Sequence, residues 1–223
     1  MLNFEDRTVE LFPSKGAGAP LVLVNTLEGE SAALHEAVRA MTGADFALAA
    51  VGNIDWEADL TPWPAPSLVK GHPLRGGGAD AYADRLSGRI LPQVAGLLDG
   101  MPAWVGLAGY SLGGLFALYA PFRTDAFARV ASASGSLWYP GFVDFALSHA
   151  PRRRPDAVYL SLGDRESRTR NPMLRTVEDE TRRLAAFLTE RGVPSVFELN
   201  PGGHFNDENR RLARAIAWML EGR

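Results

Sequence analysis

The chain has 223 residues, 46% of them hydrophobic and 22% charged, with a formal net charge of −3 and no cysteine. The length suits one domain with a continuous core, the charge leaves no footprint for nucleic acid, and the missing cysteine excludes disulfides, a thiol nucleophile and a cysteine-based metal site. The polar start, Met1 to Arg7, and the lack of any run of about 18 apolar residues lead us to expect a soluble, cytoplasmic protein without a membrane partner.

Apolar, β-rich runs alternate with amphipathic helix-like runs, the pattern of an α/β fold with a mostly parallel sheet covered on both faces. Strands over Val9 to Phe12 and Leu21 to Asn25 are followed by a helix over Ser31 to Met41 and a strand over Phe46 to Val51. From Gly52 to Gly78 the chain is proline-rich and without period, carries Trp56 and Trp63, and ends in three consecutive glycines. A loop of that length in a compact domain is usually functional, and its tryptophans argue for an ordered wall of a site. A helix over Ala79 to Leu98, a strand over Ala103 to Ala108, a helix over Leu112 to Ala120 and a strand over Arg129 to Ala133 come next. Arg152 to Arg154, between Pro151 and Pro155, reads as a solvated loop. A strand over Val158 to Leu162, a helix over Asn171 to Arg191, a strand over Val196 to Leu199 and a helix over Asn206 to Glu221 complete the chain. In that last helix Leu212, Ala215, Ile216 and Met219 form the buried stripe, and Arg210, Arg211 and Arg214 face water.

The most informative junction is Gly109-Tyr110-Ser111-Leu112-Gly113, between a strand and a helix. This Gly-x-Ser-x-Gly spacing is the nucleophile elbow: a serine on a tight, strained turn, with Gly109 and Gly113 supplying the room where the chain crosses itself. The turn exposes the hydroxyl and aims the first free N–H of the helix, that of Leu112, at developing negative charge.

A serine hydroxyl needs a base within reach and a third group to orient that base. In the α/β-hydrolase order the acid and then the histidine follow the serine. Of the four histidines, His35 sits in an early helix, His72 precedes the serine and His149 borders the proline-bounded loop. His204 alone follows the last strand, in the loop Asn200 to Phe205. The acid belongs after the strand Val158 to Leu162, where Asp164 and Glu166 compete; reach towards the histidine loop favours Glu166, with Asp164 the alternative. A second oxyanion donor is expected after Leu21 to Val24, from the N–H of Leu27 or, alternatively, Thr26.

With these residues placed, the chain resembles the putative-esterase branch of the α/β hydrolases, which includes esterase D, feruloyl esterases and enterochelin-type trilactone siderophore esterases. Beyond the elbow, the resemblance rests on Asp59-Leu60-Thr61-Pro62, on Gly76-Gly77-Gly78-Ala79-Asp80-Ala81-Tyr82, on Ile90-Leu91-Pro92, on Ser132 to Trp138 and on Gly202 to Phe205. The chain departs from the family in lacking the His-Gly pair of the oxyanion loop and in carrying Leu60 where an aromatic is commoner. Little precedes Leu21, so one or two edge strands are expected to be missing, and the length leaves no room for a separate lid domain.

The implied activity is hydrolysis of a small-molecule carboxylic ester through an acyl-enzyme, with no cofactor and no metal, by an esterase rather than a lipase. Trp56, Trp63, Trp138 and Tyr110 are the candidate substrate-binding aromatics. Three other readings share the scaffold: a trilactone siderophore esterase, an acyltransferase using the same triad, and a non-catalytic binding module. Neither the acyl and alcohol halves of the substrate nor self-association into a homo-oligomer is written in the sequence.

Overall fold

The computed structural model describes residues 2–4, 6–26, 29–66 and 75–222. In chain order its strands are β1 (Leu2–Phe4), β2 (Arg7–Phe12), β3 (Leu21–Asn25), β4 (Ala47–Gly52), β5 (Pro64–Ala65), β6 (Arg75–Gly76), β7 (Val105–Tyr110), β8 (Arg129–Ala133), β9 (Ala157–Gly163) and β10 (Ser195–Asn200). The helices are α1 (Ser31–Met41), α2 (Trp56–Asp59), α3 (Ala79–Arg85), α4 (Leu91–Ala95), α5 (Leu112–Arg123), α6 (Phe142–Ser148), α7 (Val177–Glu190) and α8 (Glu208–Glu221).

Eight strands form one sheet in the order β1-β2-β4-β3-β7-β8-β9-β10, and β5 and β6 form a separate small ribbon. From β4 to β10 all neighbours are parallel, whereas β2 runs antiparallel to both β1 and β4. The edge strands expected to be missing are therefore present: β1 and β2 are short, but a hairpin-like antiparallel pair needs few residues to cover a sheet edge.

The central strands are buried along their length because helices cover both faces. Alternation sorts their side chains. Leu21 and Leu23 of β3 and Leu107 of β7 join a core with α3, α4, α5, α6 and α7, while Val22, Val24 and Ala108 face α1 and α8. α5 is buried from Gly113 to Pro121, as expected of a helix apolar all round.

The single helix expected over Ala79 to Leu98 is interrupted. A wide π turn over Leu86–Ile90 separates α3 from α4, immediately before Pro92, which has no N–H for the regular ladder. α6 escaped sequence reading because it is seven residues long and starts after Gly141, whose φ of 76° breaks the preceding pattern.

The chain passes from β3 to β4 on one side and then to β7 on the other, so the order reverses between β3 and β7. In open α/β sheets this is where the crevice beyond the strand ends binds ligands. Val24 pairs in register with Ala108, which brings Asn25 beside the elbow.

Candidate active site

Ser111 sits between β7 and α5 with φ 55° and ψ −122°, a region that costs a non-glycine residue about 1–3 kcal/mol. The surrounding chain enforces it. A Cβ on Gly109 would overlap the Gly113 carbonyl and lie 2.8 Å from its Cα, and one on Gly114 would lie 2.7 Å from Ser132 Oγ. A Cβ on Gly113 would meet Trp56 at 3.5 Å and the Asn25 Cβ at 3.9 Å, both ordinary van der Waals contacts. Expectation and structure thus differ in one respect: the crossing demands glycine at 109 and 114, whereas at 113 the crowded atoms are backbone.

His204 Nε2 lies 3.0 Å from Ser111 Oγ, and its Nδ1 lies 2.7 Å from Glu166 Oε2. The other Glu166 oxygen accepts from the Gly163 N–H at 2.6 Å and from Arg211 Nη1 at 3.3 Å. Burial pushes the Glu166 carboxyl up, but hydrogen bonds from His204 and from the Gly163 backbone outweigh it, so the group is held below its ordinary value of 4.5. Asp164 takes a different place: its Oδ1 accepts from the Gly202 N–H at 2.8 Å and ties the acid loop to the histidine loop. A side chain at Gly163 would overlap the Gly202 carbonyl, so glycine is required where the two loops meet.

Arg211 corrects the reading of the last helix. It is 3% exposed, not facing water. Its guanidinium donates to Pro201 O at 2.8 Å and to Ser134 Oγ at 3.2 Å besides Glu166. Positions 211, 212, 215, 216 and 219 lie on one face of a 3.6-residue helix, so a cation within that stripe was the available signal. Tyr110, at the end of β7, donates its hydroxyl to the His204 carbonyl at 2.6 Å. Ser136, which sequence reading passed over, places Oγ 3.3 Å from Ser111 Oγ and is 1% exposed.

Ser111 and His204 open into a cavity of about 590 Å³ bordered by Trp56, Tyr110, Phe205, Glu30 and Glu208, within the usual range for small-molecule sites. Trp63 and Trp138 do not line it. Trp63 donates Nε1 to Pro140 O at 2.9 Å, and both tryptophans pack on the core beside Tyr139. A second cavity of about 500 Å³, between α5, α6 and α7, is mainly apolar and touches none of the three hydrogen-bonded residues.

For the oxyanion, Leu112 is the first residue of α5, where N–H groups lack intrahelical acceptors. The Thr26 N–H is committed to Val51 O at 3.0 Å, which removes it as a free donor. Leu27 lies outside the described residues, as does His72.

The sequence motifs also find their geometry. Thr61 Oγ1 donates to Glu57 O at 2.6 Å and accepts from the Gly77 N–H at 3.0 Å. Side chains at Gly76, Gly77 or Gly78 would strike Thr61, Pro64 or the Ala58 carbonyl, so the glycine run is the price of holding this loop against α3. Tyr119 of α5 donates to Asp80 Oδ1 at 2.7 Å, fastening α3 to α5.

Comparison with known proteins decides the family. The model of the family described as Putative esterase matches residues 24–211. The chain belongs to this esterase family. A curated relative, the uncharacterized protein YbbA of Bacillus subtilis (strain 168), is 27% identical over 137 residues, covering 60% of this chain and 55% of its own length. Among solved structures, the IroE-like serine hydrolase from Shewanella oneidensis superposes with a TM-score of 0.77 at 17% identity, over 96% of this chain and 76% of that one. The siderophore hydrolase EstA from Aspergillus nidulans gives 0.68 at 18%, over 97% and 94%. Enterobactin hydrolase IroE gives 0.69 at 21%, over 96% and 94%. At these identities the likeness is one of fold: a mostly parallel sheet between helices, with no separate lid.

Two outcomes follow for the elbow and the acid. Gly109→Ala should destabilise the protein by about 3 kcal/mol in urea unfolding, whereas Gly113→Ala should cost under about 1 kcal/mol. Because folding holds the Glu166 carboxyl below its ordinary value, its ionisation stabilises the native state at neutral pH; that contribution starts to fall near pH 4.5 and is lost as pH drops through the folded-state value. Glu166→Gln should flatten the loss of unfolding free energy in that acid window, while lowering stability at pH 7 by about 3 kcal/mol because Arg211 stays buried.

Proposed function

We propose that this chain is a serine esterase, acting as one α/β-hydrolase domain through Ser111, His204 and Glu166. The reading rests on one observation above all, the unbroken hydrogen-bonded line from Ser111 Oγ through the imidazole to Glu166. Glu166 accepts a hydrogen bond from Nδ1–H, which fixes the tautomer that leaves Nε2 unprotonated towards the serine. Ser111 Oγ attacks the ester carbonyl carbon as its proton passes to Nε2; the carbonyl π electrons move onto oxygen, where the Leu112 N–H and a second donor, for which Leu27 remains the backbone candidate, hold the charge. Collapse breaks the bond to the alcohol oxygen, which takes the proton from Nε2. Water then repeats the steps on the acyl-enzyme, releasing the acid and restoring Ser111. Arg211 and Tyr110 keep the acid and histidine loops in register.

The cavity favours neutral or cationic esters. Glu30 and Glu208 border it together with Trp56 and Phe205, and no lysine or arginine of the described residues lines it. Phe205, 83% exposed, presents its ring at the mouth, edge-on to the His204 imidazole with centroids 5.0 Å apart. A second reading, cleavage of a trilactone siderophore, draws on the siderophore hydrolases among the similar folds; the acidic border disfavours an anionic ferric catecholate.

With p-nitrophenyl acetate, Ser111→Ala and His204→Ala should each reduce kcat at least about 10⁴-fold, with loss of fluorophosphonate labelling in the serine variant. Wild-type turnover by Ser111→Ala would end the esterase reading. On esters of one alcohol, a trimethylammonium-bearing acyl group should be hydrolysed several-fold faster than a carboxylate-bearing one at low salt, and Glu30→Gln/Glu208→Gln should narrow the ratio. Incubation with iron-free enterobactin, followed by mass spectrometry for linear products, tests the trilactone reading directly.

A further inference from the structure

We infer that the side chain of Asn25 is a hydrogen-bond donor of the catalytic site, its Nδ2 supplying the oxyanion contact that the Thr26 backbone does not. The inference rests on the esterase reading and assigns a residue within it.

Asn25 ends β3 at the point where strand order reverses, next to the elbow: Val24 pairs with Ala108, and a Cβ on Gly113 would lie 3.9 Å from the Asn25 Cβ. It borders the same cavity as Ser111 and His204. The residue is 2% exposed, and its Nδ2 is a buried donor without a hydrogen-bond partner. Leaving such a donor unpaired costs about 1–3 kcal/mol, and a catalytic or ligand contact is one reason for a native protein to keep one.

The orientation of the amide follows from its other end. Tyr82 Oη lies 2.6 Å from Asn25 Oδ1. Burial, and then the negative charge of Asp59, push the Tyr82 phenol far above its ordinary value, so it keeps its proton and donates. The structure places the amide carbonyl oxygen at that hydroxyl, which leaves the NH₂ turned away from Tyr82. Tyr82 is in turn held by α3, by the packing of Phe116 at 5.0 Å and by the Arg7 guanidinium 6.0 Å from its ring centre, and Arg7 is paired with Asp59 at 2.7 Å. The motifs Asp59 to Pro62 and Gly76 to Tyr82 thereby acquire a chemical purpose. They build the rigid support that preorganises an amide donor beside the nucleophile, as electrostatic stabilisation of a developing oxyanion requires. Asn25 is thus the catalytic residue and Tyr82 the positioning residue.

The test compares Asn25→Asp, which keeps the shape and removes the donor, with Asn25→Ala, Tyr82→Phe and the double variant Tyr82→Phe/Asn25→Ala. The readouts are kcat and KM for p-nitrophenyl acetate and the affinity for an aryl trifluoromethyl ketone, whose adduct carries the oxyanion. We expect both Asn25 variants to lose about 10²- to 10³-fold in kcat with KM within threefold of wild type, and to lose affinity for the ketone by a similar factor. Tyr82→Phe should lose about tenfold and add nothing on the Asn25→Ala background, a non-additivity that a purely structural role would not produce. Thermal melts identify any variant that has failed to fold, and the ratio of ketone to substrate affinity in the folded variants carries the decision. Asn25→Asp or Asn25→Ala with kcat within threefold of wild type and unchanged ketone affinity overturns the assignment while the esterase reading stands. A wild-type protein that neither turns over the ester nor reacts with fluorophosphonate removes that reading, and the assignment with it.

Discussion

The molecule is organised around one close approach, the crossing of β7 and α5 at Gly109 and Gly113. Because no side chain fits at Gly109, the strand can run to within contact of the helix that follows it, and the turn between them has to pass through the left-handed φ of Ser111. Three consequences are geometric. The hydroxyl stands clear of the sheet, the start of α5 points its unpaired N–H groups at the same space, and α5 is drawn so deep that it must be apolar all round. The strain at Ser111 is offset by what surrounds it: its N–H donates to Ala133 O at 3.2 Å, and its carbonyl accepts from Ser136 at 3.0 Å and from Leu115 at 3.1 Å.

Around that turn the other groups are held by charge. Glu166 is buried, and a buried carboxylate survives only if its lone pairs are used. Here they are, by His204, the Gly163 N–H and Arg211. Arg211 is equally buried and spends its donors on both loops and on Ser134. The cluster therefore satisfies itself only when acid loop, histidine loop and α8 are assembled together, which couples the integrity of the site to that of the fold. Asp164 contributes to the same assembly through the backbone of Gly202 rather than through the imidazole.

The cavity shows how a common scaffold is given its preferences. Ser111, Glu166 and His204 follow the ends of β7, β9 and β10, whereas the cavity border is set by neighbouring loops and helix starts: Glu30 before α1, Trp56 at the start of α2, Phe205 and Glu208 around the start of α8. Changes there would reshape the cavity at positions that are not members of the hydrogen-bonded line Ser111, His204 and Glu166.

Much of this was legible in the chain itself. Period and composition located β3, β8 and α1 with their bounds, because buried parallel strands are continuous apolar runs and an amphipathic helix repeats every 3.6 residues. The elbow, the histidine loop and the two competing carboxylates were visible as local patterns, since each depends on a turn that only certain residues can make. What the sequence could not decide were matters of distance between segments far apart in it. That Glu166 and not Asp164 meets the imidazole, that Thr26 is spent on Val51 and that Trp63 and Trp138 face the core all depend on how loops converge in space. Arg211 makes the point most sharply: its identity says surface, its helical phase says core, and only the carboxylate brought in from 45 residues away makes burial of the charge affordable.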